Sequence, residues 1–296
     1  MVYPDAVNTT IFSSAGVAAA QWALVNSLGI PFGPTGVIGN GLDEGLSRYI
    51  GVKRAGTTQN EPRMVDVTGD NGRFRHKYMF NAAEIGNLEM NFGPMNMVLA
   101  TAAAGTKIRT YDDWEFMGME TDAGVGSNQV CLVISVDAQD ADAASGTKRY
   151  WNYLYPLVTL TPLFGTHEEA TGMEYPWRGA PTQAARAPWG EPFTEATWGF
   201  SRAAYIGGVS TSYPITLHTF VRNGTTTAFT LNHMPASDHT GTAVKVWNTT
   251  PAGVNTRLAA GTDFTVNVAA QTVTLSAAGT AGHIVVVAYE AIDLLD

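Results

Sequence analysis

The chain holds one cysteine, Cys131, in 296 residues. A lone thiol cannot close an internal disulfide, and it cannot supply the several ligands of a thiolate metal site. Set in the apolar run QVCLVISV, it reads as a small core residue. Charge is sparse as well. Asp, Glu, Lys and Arg make up 15% of the chain, against roughly 25% in an average soluble domain. The scarcer sign is positive, with 17 Lys and Arg against 26 Asp and Glu and a net charge of −9. Tight binding of duplex nucleic acid needs clustered cations, so this balance makes it a poor candidate partner. No stretch approaches the ~20 apolar residues of a membrane span. The opening MVYPDAVNTT lacks a basic region followed by an apolar one, so no signal peptide is expected. The Asn-x-Thr triplets at Asn8, Asn223 and Asn248 then carry little meaning as glycosylation sites.

Signatures of catalysis are missing too. The chain has no GxSxG, no HExxH, no Gly-rich phosphate loop with Lys, and no CxxC. No catalytic residue, metal ligand or cofactor is assigned. His233 and His239 flank Asp238 in LNHMPASDHTG, but the spacing matches no familiar metal site. Asp112, Asp113 and Glu115, and the pair Glu168 and Glu169, are acids of the type used on glycans. Adjacent acids on a strand point to opposite faces, so neither group is preset for shared chemistry. A solvated face is the simpler reading of both.

What the chain has in quantity is small residues, aromatics and turn signals. VAAAQWALVNSLG (17–29) has the composition of a short helix ended by Gly29. VTGDNGRFRHKYMF (67–80) reads as a Gly-Asp-Asn-Gly turn leading into a strand. Arg73, Arg75 and Lys77 alternate there with Phe74, His76 and Tyr78. One face thus gathers three positive charges, either solvated or pairing with acids at a subunit contact. GNLEMNFGPMNMVLATAAAGT (86–106) starts as a strand and breaks at Gly93-Pro94. It continues as a short helix, with Pro94 in the first turn and Gly105 past the end. Met95, Val98, Leu99 and Ala102 fall at i, i+3, i+4 and i+7, a narrow apolar stripe. A helix of ~11 residues is marginal alone, so it must dock on a sheet or on a neighbouring subunit. KIRTYDDWEFMGMETD (107–122) predicts one or two strands, and NQVCLVISVDA (128–138) and RYWNYLYPLVTLTPLF (149–164) predict strands. DAQDADAASGTKRY (137–150) reads as the exposed tip between these last two.

Residues 165–206 form a long stretch with little periodicity, rich in Pro, Gly and Trp. Trp177, Trp189 and Trp198 need burial. Either the stretch is an arm lying on a partner, or it wraps its own domain. Its aromatics also keep a sugar-stacking surface open. After about Tyr213 the texture changes to short strands separated by Asn-Gly, Pro and Gly turns. This predicts an all-β module of ~80 residues, Ig-like or similar. The organisation expected is therefore a β domain over 1–212, carrying the arm 165–206, and a β module over 213–296.

The order EIGNLEM–NFGP–MNMVLATAAAG resembles that of the tail tube (major tail) proteins of long-tailed bacteriophages. DVTGDNGRFRHKYMF upstream and the apolar strand CLVISV fit the same arrangement. TFVRNGTTTAFTLNHMPAS, VKVWN, GTDFTVNVAAQTVTLS and HIVVVAYEA are similar to modules appended to many phage virion proteins. The resemblance implies a mainly β subunit, a sandwich or barrel with one flanking helix. Subunits would join, six to a ring, and rings would stack into a tube. Pro94, Met95, Val98, Leu99 and Ala102 would then dock the helix as a wedge. Arg73, Arg75 and Lys77 would face a neighbour, and Trp177, Trp189 and Trp198 would pack the arm. The implied partners are further copies of the chain, tape-measure and tail terminator proteins, and DNA passing an acidic lumen without sticking. Host-surface glycans are the ligand class for the C-terminal module. The place implied is the virion tail, after synthesis in the host cytoplasm. Two other readings stand beside it: a capsid decoration or spike protein, and a glycan-binding protein.

Overall fold

The computed structural model describes residues 12–32, 44–45, 47–49, 52–59, 64–69, 74–79, 85–92, 99, 102–103, 107–118, 128–140, 149–162, 166–168 and 172–295. Within them the chain is mainly β, as its alternating apolar runs predict. Its largest sheet is antiparallel and has nine strands. The main path runs β3 (Ser47–Tyr49), β1 (Phe12–Leu24), β10 (Gln129–Asp140), β11 (Arg149–Pro162), β13 (Gly172–Pro181), β7 (Ile85–Phe92) and β4 (Val52–Gln59). β12 (Thr166–Glu168) pairs with β13, and β14 (Ile206–Thr211) pairs with β11. β4 returns to within 8 Å of β1 (Cα–Cα), so the sheet curls towards a barrel.

Inside the curl lies one core, built from Trp22, Leu88, Met90, Leu132, Leu160 and Trp177 with their neighbours. Leu99, Ala102 and Ala103 are helical, and Leu99 and Ala103 are fully buried in this core. The predicted helix therefore docks on the sheet of its own chain. Asn128 Nδ2 donates to Ala102 O at 2.7 Å, which ties this helical stretch to the start of β10.

The segment 17–29 corrects the sequence reading. It is the strand β1 and a turn, not a helix. Ala20, Trp22 and Leu24 face the inner core, while Ala23 faces a second core on the other side. A strand buried on both faces reads as continuous apolar sequence, and tertiary burial overrides the helix preference of alanine. Gly29 is left-handed (φ 75°), but it closes the turn after β1. β10 has the same two-sided pattern: Val130, Leu132 and Ile134 face inward, Cys131 and Val133 outward.

The strands after residue 213, joined by the short strand Glu44–Gly45 from the first half, build two further sheets. One has the order β18 (Asn255–Arg257), β17 (Val244–Thr249), β21 (Ile284–Glu290), β15 (Ile215–Val221), β2 (Glu44–Gly45). The other is β16 (Ala228–Thr230), β20 (Thr272–Leu275), β19 (Phe264–Asn267). They pack face to face as a sandwich around Phe220, Phe229, Val246, Phe264, Val273 and Val287. The five-stranded sheet is buried on its other face as well. Leu217, Trp247, Ile284 and Val286 pack there against Ala23, Ile30, Phe32, Cys131, Val133 and Leu154 of the first half. Residue 213 thus separates sheets but not cores. Buried polar ties reinforce this contact. Gln21 Nε2 donates to Ile215 O (2.8 Å), Thr216 Oγ1 to Gln21 Oε1 (2.6 Å), and Ile215 N to Asn152 Oδ1 (3.1 Å).

Two hairpins complete the described strands. β5 (Met64–Gly69) pairs with β6 (Phe74–Met79), and β8 (Lys107–Tyr111) pairs with β9 (Trp114–Gly118).

Candidate functional site

The aromatic stretch 165–206 shapes one wall of a groove. Its first part is not loop but strand, β12 and β13. Trp177 on β13 is 1% exposed, so its ring is spent inside its own chain. From Thr182 the chain folds back on itself. Ala184 and Ala203 exchange both backbone bonds (2.9 and 3.0 Å), and Phe193 N donates to Ala185 O at 2.8 Å. A single helical turn, Glu195–Trp198, is capped by Thr194, whose side chain accepts from Thr197 N, and ends at left-handed Gly199 (φ 73°). Trp198 meets Phe193 edge-on, with centroids 5.1 Å apart. The wrap therefore has its own small core around Ala184, Ala187, Phe193 and Ala203.

It also reaches the C-terminal sheet. Trp189 stacks on Trp247, and Asn255 Nδ2 donates to Trp189 O at 3.0 Å. Gly190 sits at the closest approach. Its φ is +87°, and a Cβ there would lie 2.8 Å from Thr249 Oγ1 and 2.9 Å from Asn255 Nδ2. Only glycine fits both the backbone conformation and the space.

Between the wrap and the C-terminal sheet lies a groove of about 610 Å³. Leu154, Ala288 and Tyr289 contribute buried surface, and Trp198, Phe200 and Tyr205 contribute aromatic walls. Lys245 and Arg257 also line it, and both are exposed. The guanidinium carbon of Arg257 stands 5.9 Å from the Trp247 ring centroid, a cation–π distance. The groove's two acids already accept hydrogen bonds: Glu191 from Trp189 Nε1 (2.8 Å) and Glu290 from Tyr213 N (3.2 Å). The indole N–H of Trp247 is buried and has no acceptor among the described residues.

The β8–β9 hairpin presents the opposite kind of surface. Tyr111 and Trp114 are cross-strand partners and are 66% and 71% exposed. Asp112 and Asp113 form the two-residue turn between them, with Asp112 left-handed (φ 51°). This corrects the expectation that these acids alternate across a strand. Asp tolerates φ > 0 in tight hairpin turns.

Arg75 and Lys77 lie on β6, in register with Thr68 and Asp66 of β5. Leu99 is buried and Ala102 half-buried, while Arg73, Pro94, Met95 and Val98 lie outside the described residues. His233 sits 3.5 Å from Asp293, and the Asp238 carboxylate accepts from Thr240 N, both ordinary loop contacts. Among the described residues no group of three or more His, Cys, Asp or Glu side chains is placed to hold a metal ion. None of their helices is long and apolar enough to cross a membrane. Sequence reasoning missed the groove and the exposure of Tyr111 and Trp114. The hairpin was foreshadowed by TYDDWE, where two acids stand between two aromatics. No protein-family model matches the chain, and no curated protein or solved structure matches it.

Proposed function

We propose that the chain is a structural virion protein whose copies join into rings, six to a ring, and stack into the tail tube of a long-tailed phage. The observation that carries the reading is the pair of two-strand hairpins, β5–β6 and β8–β9. Among the described strands each pairs only with itself. A two-stranded ribbon is marginal in water, so such ribbons gain order from a third strand or an apolar face. Neighbouring copies supply both, and ring closure removes the open edges that invite uncontrolled pairing. The excess of acids over bases suits a conduit through which DNA slides. Tape-measure and tail terminator proteins are the expected further partners of such a tube.

Negative-stain microscopy and sedimentation of the purified chain test this, with and without tape-measure protein. Rings of uniform diameter that stack into tubes are expected. A monodisperse monomer at high concentration and with tape-measure protein present overturns the reading.

A further inference from the structure

We infer that the β8–β9 tip of one copy seats in the groove beneath the aromatic wrap of a second copy. The inference rests on the self-assembly reading above and names the surfaces that meet.

The tip carries two large side chains, Tyr111 and Trp114, each more than half exposed in its own chain. The tip is therefore outside its own groove. Such aromatics bury roughly 150–250 Å² each when they find a pocket. The groove's volume of about 610 Å³ lies within the roughly 300–1,000 Å³ range of sites that enclose compact ligands. Its surface is largely apolar and aromatic, as a pair of rings requires.

Charge matches as well. The tip bears Asp112 and Asp113 between its rings, both exposed. The groove lining is formally neutral, with Lys245 and Arg257 set against Glu191 and Glu290, but both acids are held by neighbouring N–H donors, Trp189 Nε1 and Tyr213 N, which leaves the two cations to meet the incoming carboxylates. Opposed potentials of this kind fix register and speed encounter.

Tip and groove are different surfaces of the same chain. Each copy then offers a tip to one neighbour and a groove to another. Such a head-to-tail contact generates a ring when the rotation closes.

Two variants that keep both rings, Asp113→Cys and Thr242→Cys, test the contact when mixed under mild oxidation. The native Cys131 is buried and does not compete. A covalent dimer containing one chain of each variant is expected. Tyr111→Ala with Trp114→Ala should raise the concentration needed for assembly at least tenfold, with an unchanged circular dichroism spectrum. Asp112→Lys with Asp113→Lys, or Lys245→Glu with Arg257→Glu, should do the same, and mixing the two charge-reversed chains should restore mixed oligomers. If rings form normally from the tip variant and no crosslink appears, this contact is wrong while the tube reading stands. If the wild-type chain stays monomeric throughout, both fall. Saturable quenching of tryptophan fluorescence by N-acetylglucosamine oligomers in the tip variant assigns the groove to sugars and also overturns the contact.

Discussion

The indole of Trp189 lies on that of Trp247, with centroids 5.1 Å apart and planes 25° from parallel. One ring belongs to the wrap and the other to the C-terminal sheet, 58 positions later in the chain. The stack forms one wall of the groove and ties the two halves together. Trp247 is the more buried partner, at 4% exposed. Trp247→Ala should cost about 3–5 kcal/mol, and Trp189→Ala, from a half-buried site, less. Urea titrations of the two single variants and the double variant measure both losses. The double loss should fall short of the sum, because the rings share one contact.

Removing residues 213–296 should leave no well-folded first half. The truncation removes Leu217, Trp247, Ile284 and Val286, which pack against Ile30, Phe32, Val133 and Leu154. Cys131 reports the same event. Burial pushes its thiol up to about 12, so at neutral pH the intact chain should resist a thiol-modifying reagent. The truncated chain should react rapidly and show weak near-ultraviolet dichroism. A soluble truncation with a protected thiol would show that the two halves fold independently.

Acid should loosen the sandwich through His218. This side chain is 1% exposed and accepts from Asn232 N at Nδ1 (3.2 Å). Burial chiefly, with His233 nearby, pulls its pKa down to about 3. The unfolded chain, titrating near the ordinary 6.5, binds the proton first. The stability associated with the neutral ring is thus complete above about pH 6.5 and declines as pH falls towards 3. The slope from this one site is about 1.4 kcal/mol per pH unit. Urea midpoints measured from pH 7 to pH 4 should fall more steeply for the native chain than for His218→Leu.

How far the sequence foretold this molecule differs by segment, for physical reasons. β10 was legible because QVCLVISV is apolar on every residue but one or two, and its length suits a strand. The helix before Gly105 was legible through its stripe, although Ala103, one residue beyond that stripe, is the more deeply buried alanine. β1 was not legible: VAAAQWAL satisfies a helix and a doubly covered strand equally, and only the second core decides between them. The wrap after Thr182 lacks periodicity because it follows the contours of distant residues. Its partners lie in β11, β17 and β18, and local pattern carries no record of them. The groove is hidden for the same reason, since its lining spans positions 154 to 290.

β21 lies in the middle of the five-stranded sheet and touches a core on each side, Ile284 and Val286 towards the first half and Val285 and Val287 towards the sandwich. It is also translated after every other described strand. A nascent chain emerging from the ribosome therefore lacks its keystone until Glu290 has been added, and until then the first half has an oily flank without this strand's cover. Only copies that include β21 reach the shape in which the groove exists, because Ala288, Tyr289 and Glu290 line it.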